Sequence, residues 1–294
     1  MPKIGVSYLG GLGIEFIDAQ FKGEEIHEGF LVSGLLIPMI VPVECPLWIL
    51  AVATAFAVIF AKEVFGGTGY NIFNVALVTR AFLFFAYPTK LSGESVWVET
   101  DPICGIGSTN SLVDGFTGAT ALGQAKVVEG AVTNAIGEPL SILDMVIGLI
   151  PGSIGETSVI AIALGAIFLL WTGTASWKTM LSVFVGGGLT AYLFNLWGAN
   201  PAMQLPWYEH LLLGGFCFGA VFMATDPVTS PRTDGGKYIY GFLVGFFAIV
   251  IRCMGSYPEG MMLAILLMNL FTPLINYCFV QANISRRMKR VANK

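Results

Sequence analysis

Charged residues are scarce in this sequence. Only 12% of its 294 residues are Asp, Glu, Lys or Arg, whereas soluble domains contain about a quarter. This composition excludes an ordinary soluble domain, and a net charge of -4 gives no basis for nucleic-acid binding. The two histidines, His27 and His210, are far apart and lie near the edges of apolar segments, where we expect both to be interfacial. No Ser/His/Asp or Cys/His arrangement is present that would suggest a catalytic triad.

Cysteine and clustered carboxylates are also lacking. The five cysteines are scattered without a C-x-x-C pair, and four lie in or beside apolar segments, so we interpret them as small core residues. No metal site is predicted. Five glutamates stand at the margins of apolar segments without the spacing of a ligand cluster, and for each we favour a helix-end or topology role over ion binding: Glu15, Glu28, Glu63, Glu156 and Glu259.

The chain is rich in long apolar segments. Hydrophobic residues make up 55% of it and the mean hydropathy is +0.75. We predict an all-α integral membrane protein with about eight or nine spans. Several apolar segments are shorter than the roughly 20 residues that a spanning helix needs, and Gly or Pro interrupts them in both halves. Broken or re-entrant helices around an interior site are therefore expected.

The order of these segments suggests an internal repeat. Gly29-Phe30 and Gly215-Phe216 each precede an apolar run, a pair of prolines, a second apolar run and a glycine-containing turn. Chance similarity of apolar sequence is the alternative. We divide the chain into a first membrane repeat (1–89), an extramembrane loop (90–139), a second membrane repeat (140–281) and a basic tail (282–294).

The tail carries the one dense group of Lys and Arg in the sequence, which predicts a cytoplasmic C-terminus. We interpret this group as a topology anchor and favour that role over lipid or nucleic-acid binding.

The polar loop contains the segment Asp114-Gly-Phe-Thr-Gly-Ala-Thr120. It resembles a site for covalent flavin attachment, in which the last hydroxyl, here that of Thr120, forms a phosphoester with FMN. Thr117 and Asp114 complete the pattern, while Gly118 and Ala119 leave room for a transferase and a bulky ring. On these residues alone an ordinary turn is an equally open alternative.

A second polar feature is the glycine turn Gly66–Gly69 followed by Asn71 and Asn74. It is neither a P-loop nor a dinucleotide fingerprint, because no Gly-Lys-Ser/Thr follows and no βαβ unit surrounds it. We expect the two asparagines at i and i+3 on one helix face, where buried amides need partners. Those partners are other helices or the polar edge of a ring such as a flavin. Arg80, further along, is expected to face an interior partner.

Segments along nearly the whole chain resemble the B subunit of the sodium-translocating NADH:quinone oxidoreductases. They occur in the family's order: 25–30, 62–69, 80–88, 114–124, 151–156, 224–228 and 257–266. The resemblance implies an inverted-repeat fold like that of urea transporters, in a bacterial cytoplasmic (inner) membrane, with the flavin-bearing loop facing the periplasm. It also implies a complex with subunits A, C, D, E and F, and a separate flavin transferase.

The resemblance assigns roles to individual residues. Thr120 would carry covalent FMN, and Asn71 and Asn74 would bind noncovalent riboflavin. Gly11 and Glu15 match a helix implicated in quinone binding, and Asp226 matches an acidic residue linked to Na⁺. Electrons would then pass from a partner subunit to FMN, to riboflavin and to quinone.

Some positions depart from the family pattern. The family's longer N-terminal region is missing, so the chain looks truncated and its quinone site is expected to be incomplete. Asn276 replaces an expected acidic residue, and residues 99–113 resemble an insertion. Two alternatives stay open: the D subunit of the related Rnf complex, which shares the motif and fold, and a urea-type solute channel, which would bind no chromophore.

Overall fold

The computed structural model describes residues 2–23, 29–42, 45–88, 96–99, 115–127, 132–133, 140–255, 257 and 259–292. The first half begins with helix α1 (Pro2–Lys22), which packs on α2 (Phe30–Ile40) and on α3 (Leu47–Ala61). A 3-10 turn (Glu63–Phe65) and a glycine loop connect α3 to α4 (Val75–Ala86). Positive φ angles at Gly66, Gly67 and Gly69 turn the chain there, a conformation that glycine adopts without steric cost.

The connecting region between the halves contains the only β-strands among the described residues. Strands β1 (Val96–Glu99) and β2 (Gly115–Gly118) form an antiparallel pair, with Gly118 opposite Val96. The helices α5 (Ala121–Val127) and α6 (Ile142–Ile147) follow. The prediction of a helical protein is therefore confirmed for the apolar segments, and the small sheet, which the sequence analysis did not anticipate, lies in the predicted loop.

The second half comprises α7 (Val159–Trp171), α8 (Trp177–Trp197), the short helices α9 (Pro201–Gln204), α10 (Trp207–Leu212) and α11 (Phe216–Phe218), then α12 (Asp234–Met254) and α13 (Gly260–Ala292). A π-helical turn (Gly219–Met223) continues α11. Helix α8 packs on α12 and α12 on α13, just as α1 packs on α3 and α3 on α4. The packing order of the first half thus recurs in the second.

Within the described ranges, four helical segments are long and apolar enough to cross a membrane: Leu47–Phe65, Trp177–Trp197, Asp234–Met254 and Gly260–Val291. Three shorter apolar helices, α2, α4 and α7, accompany them. Large apolar side chains on the outer surface, such as Leu164, Ile167 and Phe168, are more than half exposed, as expected of residues that face lipid. The chain is a multi-pass membrane protein.

Helices α8 and α12 approach each other unusually closely because glycines line the contact. A Cβ added at Gly186 would lie 2.3 Å from the Phe242 carbonyl oxygen, and one at Gly245 would lie 2.2 Å from that of Val183. Gly241 faces the Thr179 carbonyl oxygen in the same way, at 2.7 Å. Small residues allow this direct backbone contact, which is a common basis of helix association in membranes.

Candidate functional site

Asn74 caps helix α4 and also reaches the other half of the chain. Its Oδ1 accepts hydrogen bonds from the backbone N–H groups of Ala76 (3.0 Å) and Leu77 (3.3 Å), the usual geometry of an N-cap. Because the oxygen is committed to the helix, the amide nitrogen must point away from it, and Nδ2 donates to Asp226 Oδ2 at 3.3 Å. One of the two Nδ2 protons remains for another acceptor.

Asp226 lies three residues after the end of the π-helical turn, immediately before Pro227. Its Oδ1 accepts from the Val228 N–H and its Oδ2 from the Thr229 hydroxyl, each at 3.1 Å. With Asn74, three donors surround this carboxylate. The residues predicted to bind riboflavin and to guide Na⁺ are therefore brought into direct contact.

The prediction that Asn71 and Asn74 share a helix face is wrong. Helix α4 begins only at Val75, because Asn74 serves as its cap. Asn71 lies in the turn before the helix, is half-buried, and donates from Nδ2 to the Phe73 carbonyl oxygen at 3.3 Å. The signal for this arrangement was present in the sequence, since Asn immediately before an apolar run is a common helix start.

A buried ion-pair cluster lies further along α4. Arg80 pairs with both Glu156 and Glu259, which confirms the prediction that it faces an interior partner. Each carboxylate precedes a helix, α7 and α13 respectively, in agreement with a helix-end position, and each also pairs with Arg80. The physical reason is that a guanidinium buried in the protein interior needs compensating charge, and the two carboxylates supply it from elements distant in sequence.

Arg252 borders the same cavity as Arg80, Glu156 and Glu259. Its guanidinium donates to the carbonyl oxygens of His210 and Leu213. The cluster thus contains two positive and two negative side chains. His210 is fully buried rather than interfacial. His27 and Glu28 lie outside the described residues.

Thr120 lies between β2 and α5, at the rim of this polar region. Its Oγ1 accepts from the Gly123 N–H at 3.2 Å, and the residue is partly exposed. The pocket beside it is also lined by Glu156 and Glu259, so it adjoins the Arg80 cluster. The structure describes the backbone of Thr117 and Gly118, which lie in strand β2. Asp114 lies outside the described residues.

Helix α5, which follows Thr120, is tied to the membrane helices through Lys126. Its Nζ donates to the Gly255 carbonyl oxygen at 2.7 Å, at the end of α12. Partial burial lowers the pKa of Lys126. Gln124 adds a local restraint, since its Nε2 donates to the Ala119 carbonyl oxygen at 3.1 Å. The turn that carries Thr120 is therefore held against the helical body.

Gly11 and Glu15 lie one turn apart on the buried face of α1. A Cβ at Gly11 would lie 1.9 Å from the Phe30 ring, so this glycine permits the packing of α1 on α2. Glu15 forms a buried ion pair with Lys62, which follows α3. Sequence analysis identified Glu15 but not Lys62, because the pairing depends on how α1 and α3 pack.

Three buried cysteines, Cys45, Cys217 and Cys253, agree with the interpretation of cysteines as core residues, and Cys278 is exposed on α13. Cys104 lies outside the described residues.

A sequence profile described as the NQR2, RnfD, RnfE family matches residues 1–285. The chain belongs to this family. A 49% identical relative from Chromohalobacter salexigens is named as the B subunit of a Na(+)-translocating NADH-quinone reductase, and the match covers 99% of this chain and 68% of that protein. Proteins of the same name from Ectopseudomonas mendocina (45% identical) and Klebsiella pneumoniae (48%) match 99% and 98% of the chain and 69% and 68% of their own lengths. The predicted family is thereby confirmed.

Proposed function

We propose that this chain is the membrane subunit of a Na⁺-pumping NADH:quinone oxidoreductase that relays electrons to quinone. The observation that carries the proposal is the similarity to B subunits over almost the whole chain. The family also includes proteins named RnfD and RnfE, so the alternative is the corresponding subunit of an Rnf complex. The B-subunit names of the similar proteins favour the quinone reductase.

Thr120 is the proposed attachment point of FMN. Its hydroxyl is partly exposed, accepts one hydrogen bond and is flanked by small residues, so a phosphoester oxygen could replace the hydroxyl without displacing a buried partner. Asp114, Thr117 and Gly118 would form the sequence that the transferase recognises. Bound flavin supplies the electron-carrying chemistry, and the protein supplies position and electrostatics.

The proposed attachment is tested by ultraviolet fluorescence of the denatured subunit in a gel, from cells that make the flavin transferase. Wild type and Thr120→Ser should give a fluorescent band, since serine keeps the hydroxyl, and Thr120→Val should give none. Thr157→Val is the matched control, because it removes a hydroxyl from the same pocket. A dark wild-type band, as a solute channel would give, contradicts the redox function.

Riboflavin is proposed to bind beside Asn71 and Asn74. The second Nδ2 proton of Asn74 is available to a ring carbonyl, while Asp226 accepts the first. Asn71 is half-buried in the adjacent glycine turn and can contribute its amide oxygen to a ring N–H. Asp226 in turn is proposed to lie on the ion pathway, since carboxylate oxygen is a suitable ligand for a hard cation.

Gly11 and Glu15 are proposed to shape a quinone site along α1. Gly11 packs against Phe30 and Glu15 pairs with Lys62, so both residues would act by fixing the packing of α1 on α2 and α3. The proposed assembly includes subunits A, C, D, E and F in a bacterial inner membrane. The recurring packing order of the two halves supports the proposed inverted-repeat, urea-transporter-like architecture with about eight or nine spans.

A further inference from the structure

A basic cleft opens on the surface between α8 and α12. It has a volume of about 400 Å³ and is bordered by residues 173–178 and by the segment that connects Asp226 to α12. Lys178, Arg232 and Lys237 line it together with a single carboxylate, that of Asp234. None of these residues belongs to the flavin, quinone or ion sites proposed above.

The charges of the cleft are unbalanced. Lys178 Nζ contacts Asp234 Oδ2 at 2.7 Å, which neutralises one cation. Arg232 and Lys237 form no side-chain ion pair among the described residues and leave an excess of two positive charges. Hydroxyl groups of Thr174, Ser176 and Ser230 also line the cleft and can donate hydrogen bonds. Two cations with hydroxyl donors form a suitable environment for a phosphate group.

The cleft lies at a membrane–water interface. Trp177 and Tyr238 pack edge to face beside it with ring centroids 6.3 Å apart, and both are partly exposed, as in an interfacial aromatic belt. The backbone N–H of Arg232 donates to Asn276 Oδ1 at 3.2 Å, which sets the cleft level with the end of the apolar part of α13, near Val280. Beyond Asn276, α13 continues to Ala292 with the basic tail residues, so the cleft faces the same side as the tail.

An apolar track leads from the cleft along α8. Trp177, Leu181 and Val185 recur every four residues on one face, with exposures of 54%, 51% and 52%. The track begins next to Lys178 and runs toward the membrane interior. A soluble phosphate would make no use of this surface, whereas an acyl chain would cover it.

We propose that the cleft binds the headgroup phosphate of an anionic phospholipid. Arg232 and Lys237 pair with the phosphate oxygens, the hydroxyls donate to them, and one acyl chain lies along Leu181 and Val185. Basic pockets between helices on the cytoplasmic side are suited to such headgroups. The proposal depends on membrane location alone and not on the flavin assignments. Because Thr225 and Pro227 also line the cleft, the lipid would restrain the loop that holds Asp226.

Phospholipid retained by the purified complex tests this proposal. Wild type should keep a tightly bound phosphatidylglycerol or cardiolipin, detectable by native mass spectrometry, and Arg232→Gln with Lys237→Gln should lose it. The matched control, Arg286→Gln with Lys289→Gln, removes the same charge from the exposed end of α13 and should retain the lipid. Equal retention by both double variants overturns the proposal.

Adding lipid back distinguishes the sources of phosphate. Phosphatidylglycerol vesicles should raise the Tm of the delipidated complex, while phosphatidylcholine vesicles and inorganic phosphate should not, and Leu181→Asn should weaken the rise without changing any charge. An equal rise with inorganic phosphate would identify a soluble-phosphate site and refute the lipid assignment. Loss of another subunit from the Arg232→Gln, Lys237→Gln complex, with its lipid content unchanged, would identify a subunit contact and also refute it.

Discussion

Asn74 Nδ2 donates a hydrogen bond to Asp226 Oδ2 across 3.3 Å, and this contact joins the two halves of the chain. The same asparagine caps α4 through its Oδ1. One side chain therefore fixes both a helix start and the position of a carboxylate 152 residues away. A substitution at the proposed riboflavin site should therefore also change the position of the Asp226 carboxylate at the proposed ion site.

Replacing Asn74 by Ser separates its two roles. Serine caps helices about as well as asparagine, so thermal stability should change little, whereas Asn74→Ala should cost about 1 kcal/mol through loss of the cap. Both variants lack Nδ2, and both should lose riboflavin and show a raised Na⁺ requirement for quinone reduction. Flavin extraction with chromatography and Na⁺ titration measure these effects. Wild-type riboflavin content in Asn74→Ser would refute the assignment.

Arg80→Met should be strongly destabilising, because it leaves the buried carboxylate of Glu156 and the partly buried carboxylate of Glu259 without their cation. We expect a loss of about 3–5 kcal/mol, seen as a lower Tm of the purified complex. The double variant with Glu156→Gln should recover part of that loss, since Arg252 in the same cavity then balances the remaining carboxylate of Glu259. Lys22→Gln, which breaks a partly exposed ion pair with Asp18, should change little. A double variant less stable than Arg80→Met would contradict this account.

Gly11→Ala and Gly13→Ala form a matched pair on α1. A Cβ at Gly11 would overlap the Phe30 ring, while one at Gly13 meets nothing within 4 Å. Gly13→Ala should be neutral or stabilising by up to about 1 kcal/mol through helix propensity. Gly11→Ala should raise the KM for quinone and lower the Tm through overpacking, and adding Phe30→Leu should restore part of both. Equal behaviour of the two alanine variants would show that α1 and α2 do not pack in this way.

The buried Glu15–Lys62 pair makes a further prediction for the quinone site. If Glu15 acts by positioning α1 against α3, Lys62→Gln should raise the KM for quinone as Glu15→Gln does, and the double variant should be no worse than either single one. Such non-additivity is the signature of residues that act through one contact. Additive effects in steady-state kinetics would mean that Glu15 contributes independently of Lys62.

Local sequence patterns predicted those features that depend on composition and near neighbours. Low charge and apolar runs identified the membrane helices, and Arg80 was correctly expected to need an interior partner. The identity of that partner could not be predicted, because Glu156 and Glu259 reach Arg80 only once α4, α7 and α13 have packed. His210 was misplaced for the same reason: it is buried only once the short helix α10 has packed on α8. The capping role of Asn74, in contrast, depends only on its neighbours in sequence, because Asn immediately before an apolar run is a common helix start.

The glycine-lined contact between α8 and α12 has a mechanical consequence. The two backbones touch at Gly186, Gly241 and Gly245, so they cannot slide past each other without steric overlap. We therefore expect α8 and α12 to move as one rigid pair. We expect any movement that accompanies turnover to occur around this rigid pair, at the polar contacts that Asn74 and Arg80 make across the interface between the halves. The rigid pair would stay in place while the hydrogen bond between Asn74 and Asp226 breaks and re-forms.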